Sequence, residues 1–138
     1  MDQTAIFGPM LVMMGLTLVV WVLMYARRIP FLNAQELDPD ELTPAMLEEL
    51  SPPEVANPSD NLKNLFEMPV LFYAIALYLH AVGQVDTVHL VAAWLFVGLR
   101  VLHSPVHCTV NKVMARFALY ALSSLALWFM VLRAGFYF

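Results

Sequence analysis

Glu67 is the residue whose type and setting most strongly suggest chemistry. Its carboxylate lies near the start of an apolar run, three residues after Asn64 and two residues before Pro69. An ionised side chain costs roughly 2.5–3.5 kcal/mol at the centre of a membrane-spanning helix, so it needs a protein partner or water. Pro69 has no N–H to donate to the carbonyl of Leu65 and therefore disturbs the same turn. A polar group at a disturbed turn indicates a binding site, although a buried structural ion pair between Glu67 and Arg100 would also explain the carboxylate.

Polar side chains also mark the ends of the other apolar runs, at what would be the same level of a helical bundle. Residues three, four or seven positions apart lie on one face of a helix. Arg100, His103 and His107 follow this spacing at the end of one run, and Arg116 and Tyr120 follow it at the start of the next. The sequence therefore predicts one binding site that contains Arg28, Lys63, Asn64, Glu67, Arg100, His103, His107, Arg116 and Tyr120.

The charges of these residues predict the kind of ligand. Arginine binds carboxylates through a planar fork, Lys63 offers a point charge, and Glu67 would take an ammonium group. A tripeptide with two carboxylates and one amine fits this set. For single members, simpler explanations remain open: Arg28 could be a lipid-headgroup anchor, and His103 and His107 could be satisfied polar residues between helices. We predict no metal site, because no third ligand of the usual type accompanies the two histidines.

The composition indicates that membrane helices position these residues. Of the 138 residues, 61% are hydrophobic and 13% are charged, and the mean hydropathy is +0.70. Such a chain is too apolar for a soluble domain. A bilayer core of about 30 Å requires spans of about 20 residues. We predict an all-α, integral membrane four-helix bundle, a single domain over residues 1–138, with spans at about Ile6–Tyr25, Leu65–Val82, Val88–Leu102 and Phe117–Leu132.

The segment between the first two spans, residues 29–60, is the only extended polar part of the chain. It holds eight of the eleven acidic residues and six of the nine prolines, which separates it chemically from the spans. Thr43-Pro44 predicts an N-capped short helix through about Leu50, which Ser51-Pro52-Pro53 would end. The segment is then either a solvated linker or a lid over a site.

Other polar residues are expected to have structural roles. Ser59 or Asp60 is expected to cap the second span, and Pro105 is expected to break the third. At the opposite end of the bundle, four polar residues are interpreted as ordinary interfacial side chains: His80, Gln84, Asp86 and His89.

The distribution of positive charge predicts the orientation in the membrane. Arg27, Arg28 and Lys63 flank the acidic segment, and Lys112 and Arg116 lie around the connection between the last two spans. By the positive-inside rule, loops 29–60 and 103–112 are cytoplasmic and both termini are outside. We expect membrane lipids as the surroundings of the chain and no nucleic acid as a partner.

Two short blocks resemble the MAPEG family, the membrane-associated proteins of eicosanoid and glutathione metabolism. Asn64-Leu65-Phe66-Glu67 with Pro69 is similar to the family's Asn-x-x-Glu followed by a proline-bearing helix. Arg100-Val101-Leu102-His103 resembles the Arg-x-x-His that closes the third helix. The spacing from Arg100 to Arg116 and Tyr120 also resembles the spacing in the family between the third-helix Arg and the fourth-helix Arg and Tyr. The resemblance covers all four spans.

The resemblance implies a four-helix subunit in a homotrimer, with glutathione as co-substrate between neighbouring subunits. It implies that Arg116 helps to stabilise the glutathione thiolate, which is the nucleophile. The chain departs from the family pattern in three places. Lys63 stands where many members have Arg, and His107 stands where many members have Tyr. The first loop is also longer and more acidic than in the family. The glutathione site that the resemblance implies contains Arg28, Asn64, Glu67, Arg100, Arg116 and Tyr120.

Two functions from different classes remain open at this point. The chain could be a glutathione-dependent transferase or peroxidase that acts on lipophilic electrophiles from the bilayer, with Arg116 and Tyr120 as the catalytic residues. Alternatively, it could be a non-catalytic binding or accessory membrane protein. The same polar residues would then hold a lipid or stabilise a trimer.

Overall fold

The part of the chain that the structure describes folds into six α-helices, four of which carry the long apolar sequences. The structure is a computed structural model and describes residues 1–137. Short 3-10 helices at Gln3–Ile6 and Pro39–Glu41 accompany the α-helices. The helices are α1 (Phe7–Ala34), α2 (Pro44–Leu50), α3 (Pro53–Leu65), α4 (Met68–Ala81), α5 (Thr87–Cys108) and α6 (Val113–Gly135).

The chain is an integral membrane protein with four segments long and apolar enough to cross a bilayer. These segments are Gln3–Ala34, Pro53–Ala81, Thr87–Cys108 and Val113–Gly135. The predicted all-α class and the predicted number of spans are therefore confirmed. A fully hydrogen-bonded helical backbone is what the hydrocarbon core demands, because no water there can satisfy backbone groups.

The second span is longer than predicted and consists of two helices. It begins at Pro53, a favourable first helical position for proline, so Ser59 and Asp60 lie inside α3. The expectation that either residue caps this span is wrong. A polar stripe on α3 packs against α1 and α5, and this tertiary contact outweighs the local capping signal.

The two halves of the second span meet at Glu67. Its backbone angles, φ −97° and ψ −104°, are not helical, and α4 starts at the next residue. Pro69 therefore lies in the first turn of α4, where a missing N–H costs little. The predicted disturbance around Glu67 and Pro69 is confirmed. Pro105 does not break α5 as predicted, because the helix continues through it to Cys108.

Much of the predicted linker is ordered into helix. Thr43 caps α2 by accepting a hydrogen bond from the backbone N–H of Met46 at 3.2 Å. The helix ends at Leu50, before Ser51-Pro52-Pro53, as the sequence predicts. Residues 29–60 therefore contain the end of α1, all of α2 and the start of α3, and α2 lies beside the N-terminal half of the second span.

The apolar core lies between α1, α4, α5 and α6. Phe72 and Phe96 stack with ring centroids 4.6 Å apart, and Leu79, Leu127 and Met130 are fully buried around them. Lipid tails are as apolar as these side chains, so close van der Waals packing rather than apolar transfer stabilises the contact. This packing fixes α5 against α6, which together carry most of the predicted site residues.

A polar network closes the end of the bundle near the N-terminus. The Asp86 carboxylate accepts from the backbone N–H of His89 at 2.9 Å and pairs with Arg133 at 2.8 Å. Arg133 Nη1 lies 2.9 Å from Nδ1 of His89, whose side chain is fully buried. The interpretation as an ordinary interfacial residue is therefore wrong for His89, whereas Asp86 remains partly exposed. They tie the start of α5 to the end of α6.

This network predicts a measurable contribution of Asp86 to stability. Asp86→Ala removes the N-cap of α5 and should lower the free energy of unfolding by about 0.5–2 kcal/mol, whereas Asp86→Asn keeps a capping side chain and should cost less. Partial burial disfavours the charged form of the Asp86 carboxyl and acts to raise its pKa. The hydrogen bond from the His89 N–H and the nearby Arg133 guanidinium together have the larger effect, so the pKa of Asp86 is lowered. Its contribution is thus present above its ordinary pKa and is lost as the pH falls through the lowered value.

Thermal unfolding in detergent checks this prediction. The pH-dependent part should vanish in Asp86→Asn, which keeps the cap but cannot ionise. Equal stability of the wild type and both variants between neutral and acidic pH would contradict it.

Candidate functional site

Arg100 is the centre of the candidate site. It lies on the inward stripe of α5, one turn after Phe96, and its side chain is 0% exposed. Its guanidinium carbon is 4.6 Å from the ring centre of Tyr120 and 5.6 Å from that of Phe96. Nε, Nη1 and Nη2 all lack a hydrogen-bond partner within residues 1–137. A buried cation with unmet donors is costly, and the aromatic faces compensate only part of this cost.

The alternative of a structural Glu67–Arg100 ion pair is not supported by the geometry. Glu67 is exposed at the junction of α3 and α4, and no ion pair joins it to Arg100. The carboxylate therefore does not neutralise the guanidinium by contact. Arg100 and Glu67 therefore do not neutralise each other, and each charge needs a different partner.

Tyr120 and His103 lie beside Arg100, and His107 lies one turn beyond His103. The ring centroid of His103 is 5.5 Å from that of His107 and 6.1 Å from that of Tyr120. The helical spacing predicted this grouping, since His103 and His107 lie one and two turns after Arg100 on α5. His103 Nδ1 is buried and has no hydrogen-bond partner among the described residues. The ring can therefore still donate to or accept from a further group.

Asn64 connects α3 to α5 within this site. Its side-chain amide lies 3.3 Å from Nδ1 of His107. With its nitrogen facing Glu67, the amide donates to the two carboxylate oxygens at 3.2 and 3.3 Å, and its oxygen faces His107. This orientation satisfies both neighbours and requires the proton of the His107 ring to be on Nδ1. Asn64 thus holds the Glu67 carboxylate near the α5 histidines.

Arg116 is held by residues that the sequence analysis missed. Its Nη1 donates to Oδ1 of Asn111 at 2.6 Å, and Asn111 donates to Oδ1 of Asn57 at 3.1 Å. Asn111 has φ +46°, a left-handed conformation that asparagine tolerates better than most residues. The charge of Arg116 also acts on both His103 and His107. The chain from Asn57 to Arg116 therefore links α3, the α5–α6 turn and α6.

A second set of missed residues lies beside this chain. Asn61 is fully buried, accepts from Ser104 at 3.4 Å and donates to the sulfur of Cys108 at 3.5 Å. Asn57 and Asn61 are four residues apart on α3, so they share one helical face. That spacing was the available signal, but Asn57 lay in the segment 29–60, which was interpreted as a linker or a lid.

The structure places Arg28 and Lys63 in a different environment from the other predicted residues. Both line a cavity beneath α2, where Arg28 Nη2 donates to Ser59 at 2.8 Å and Lys63 pairs with Asp60 at 3.2 Å. We call this cavity the α2 pocket. The polar cluster, in contrast, consists of Asn64, Glu67, Arg100, His103, His107, Arg116 and Tyr120.

The polar cluster has the chemistry to hold a small molecule with both carboxylate and amine groups. Arg100 and Arg116 supply two guanidinium groups, Glu67 supplies a carboxylate, and the other members supply hydrogen-bonding rings and an amide. Tyr120 and Arg116 are only partly buried, so the cluster reaches the surface of the subunit along α6. A ligand could approach from that side.

Comparison with known proteins identifies a family. The family model described as the MAPEG family matches residues 6–136, a range that includes all six α-helices. Neither the curated proteins nor the solved structures gave a significant match to this chain.

Proposed function

This chain belongs to the MAPEG family, and on that premise we propose that it is a glutathione-dependent transferase or peroxidase that acts on lipophilic electrophiles. The family includes glutathione transferases and related membrane proteins, and its members generally use glutathione. The observation that carries the proposal is the fully buried guanidinium of Arg100 with three unpartnered nitrogens. A carboxylate is the group that best satisfies such a fork.

The remaining residues of the polar cluster fit the other groups of glutathione. Glu67 is exposed and held by Asn64, so it can accept the ammonium group. His103 has a free ring nitrogen that can bond to a peptide group or a second carboxylate. Tyr120 covers Arg100, and rotation of its side chain would open the guanidinium to the ligand. The donor set therefore matches a tripeptide with two carboxylates and one amine.

Arg116 is proposed to favour the thiolate form of bound glutathione. A cation in a low-dielectric site stabilises a nearby anion, and the thiolate is the nucleophile. Tyr120 would donate a hydrogen bond to the sulfur or to the charge that develops on the electrophile, because the N–H of His107 already faces Asn64. Asn111 would hold the Arg116 side chain in place before the ligand arrives.

We also propose that the protein works as a homotrimer, with the polar cluster facing a neighbouring subunit. The partial exposure of Tyr120, Arg116 and Glu67 at the surface of one subunit supports a site that a neighbour completes. The positive charges flanking loops 29–60 and 103–112 support a cytoplasmic location for this end of the bundle and outside termini.

The test of the proposal is calorimetric titration of the purified protein in detergent with glutathione. Binding to the wild type is expected, with weaker binding by Arg116→Ala and by Glu67→Gln. Loss of one charge-assisted hydrogen bond, about 1.5–3 kcal/mol, corresponds to an affinity lower by about tenfold or more. Arg27→Gln is the matched control, because Arg27 is an exposed cation outside the polar cluster.

The outcome separates the two classes of function. Binding that depends on Arg116 and Glu67, followed by conjugation of an aromatic chloride or reduction of a lipid hydroperoxide, supports the enzyme. No binding at millimolar glutathione by protein that is still folded and oligomeric would rule it out. The scaffold would then serve a non-catalytic role.

A further inference from the structure

The contact between α5 and α6 leaves an open groove in the half of the bundle that lies away from the polar cluster. We call this cavity the α5–α6 groove. Its volume is about 540 Å³, and pockets for small molecules commonly measure about 300–1,000 Å³. The buried Ala92 and Ala126 lie between its larger, exposed wall residues. The walls are Val88, Val91 and Leu95 on α5 and Leu122, Leu125 and Phe129 on α6.

The α5–α6 groove has the length and the chemistry of a site for one acyl chain. It extends along α5 from Thr87 to Leu95, a stretch that rises about 12 Å. One leaflet of the hydrocarbon core is about 15 Å thick, so the groove follows the span through most of a leaflet. Apart from the Thr87 hydroxyl, the side chains that line it are apolar. Val91 and Leu125 are 62% and 65% exposed, so the groove is open to lipid along one side.

An ion pair between the two walls marks the end of the groove near the membrane surface. Asp86 directly precedes Thr87, and Arg133 lies one turn after Phe129 on the same face of α6. The side chains of Asp86 and Arg133 meet at 2.8 Å and are 42% and 22% exposed. The pair therefore lies where an acyl chain in the groove would join its headgroup.

Arg133 and Asp86 retain hydrogen-bonding capacity beyond their mutual contact. Nη2 of Arg133 also donates to the Tyr137 hydroxyl at 2.8 Å, and Nε makes no hydrogen bond within residues 1–137. A guanidinium donor of this kind binds phosphate well. The Asp86 carboxylate accepts from the His89 N–H at Oδ1 and from Arg133 at Oδ2, which leaves lone pairs for a further donor. The end of the groove thus offers a donor for a phosphate beside an acceptor for an amine.

A zwitterionic headgroup matches this pair better than an anionic one. Asp86 and Arg133 carry one charge of each sign, so a headgroup with a phosphate alone would also bring a like charge towards the carboxylate. Recognition of anionic lipids usually relies on clusters of about 4–8 Lys and Arg residues, and Arg133 is the one such residue at this end of the bundle. A headgroup in which a short linker joins an ammonium to a phosphate places one group on each partner.

We propose that the α5–α6 groove binds a phospholipid of the phosphatidylethanolamine class. One acyl chain lies between the walls, the phosphate accepts from Nε of Arg133 and from the Tyr137 hydroxyl, and the ammonium donates to Asp86. The bound lipid joins the start of α5 to the end of α6 and so stabilises the two helices that carry most of the polar cluster. The groove contains no residue of the polar cluster, and its ligand does not depend on glutathione.

The experiment measures lipid binding by the full-length protein in detergent with native mass spectrometry. The probes are phosphatidylethanolamine and phosphatidylglycerol with identical oleoyl chains. The wild type is expected to retain one phosphatidylethanolamine per subunit and to prefer it by about tenfold or more, the effect of one charge-assisted contact. Asp86→Asn keeps a capping side chain on α5 but removes the charge that selects the ammonium, so the two lipids should bind equally. Val91→Trp enlarges one wall and should abolish retention of both lipids.

Leu18→Trp and Asp2→Asn are the matched controls. Leu18 on α1 is 60% exposed, close to the value for Val91, and Asp2 is an exposed carboxylate at the same end of the bundle as Asp86. Both controls should bind the lipids as the wild type does, and Asp86→Asn tests the site even where Val91→Trp unfolds.

Three results would overturn the proposal: equal binding of the two lipids by the wild type, equal loss in the Val91 and Leu18 variants, or an unchanged preference in Asp86→Asn. Loss of the oligomer in Val91→Trp would also overturn it, because a neighbouring subunit would then occupy the groove. Loss of glutathione-dependent conjugation with unchanged lipid retention would overturn it as well and would assign the groove to the electrophile.

Discussion

Arg100→Met is expected to weaken glutathione binding by at least about tenfold and to leave the ligand-free protein as stable as the wild type or more stable. The guanidinium is fully buried and its nitrogens make no geometric hydrogen bond within residues 1–137, so the Tyr120 and Phe96 rings offset only part of the cost of burying the charge in the absence of ligand. Replacing buried charge with an apolar side chain of similar size is often neutral or stabilising by about 1–4 kcal/mol. Calorimetry with glutathione and thermal unfolding without it measure the two effects separately.

The combination of lost binding and retained stability distinguishes a ligand site from structural support. A residue that holds helices or subunits together would reduce the unfolding temperature, or the fraction of intact oligomer, when it is replaced. Destabilisation by Arg100→Met, or loss of oligomer on gel filtration, would show that another subunit satisfies the guanidinium. Arg27→Met provides the control for removal of an exposed arginine.

Sequence spacing predicted the structure correctly where the interactions lie within one helix or one turn. The i, i+3 and i+7 pattern of Arg100, His103 and His107 placed three residues on the inward face of α5. The Thr43-Pro44 pair located the start of α2, because its capping bond is confined to one turn. In both cases the determining interactions lie within a few residues of each other.

Features that depend on contacts between residues far apart in the sequence could not be predicted from spacing. Arg133 reaches His89 across 44 residues of sequence, so neither residue alone indicated a buried network. Asn57 lies in a proline-rich segment that resembled a linker, and only its packing against α5 and the following turn reveals its contact with Asn111. Arg28 and Lys63 were assigned to the predicted site by level in the membrane, whereas the cavity that both residues line depends on contacts with residues 42–48, which spacing does not indicate.

Arg116→Ala is expected to have the largest effect on catalysis. Removing a group that stabilises developing negative charge typically lowers the rate by about 10²–10³-fold. The bound thiol would lose a nearby cation, so its pKa should rise and less thiolate should form at neutral pH. The rate should then continue to increase with pH in the variant at values where the wild type has reached its plateau. Ultraviolet absorbance of the bound thiolate and the pH profile of turnover measure the same shift independently.

Asn111→Ala tests whether the position of Arg116 matters as well as its charge. Asn111 accepts from Arg116 at 2.6 Å and contacts no other member of the polar cluster through a hydrogen bond in residues 1–137. Removing it should raise the pKa of the bound thiol in the same direction as Arg116→Ala but by less, because the cation remains. Lys112→Ala removes an exposed charge from the same turn and should leave the pH profile unchanged. A pH profile that moves equally in the Asn111 and Lys112 variants would instead mean that the charge of the turn as a whole, rather than the bond from Asn111 to Arg116, sets the thiol pKa.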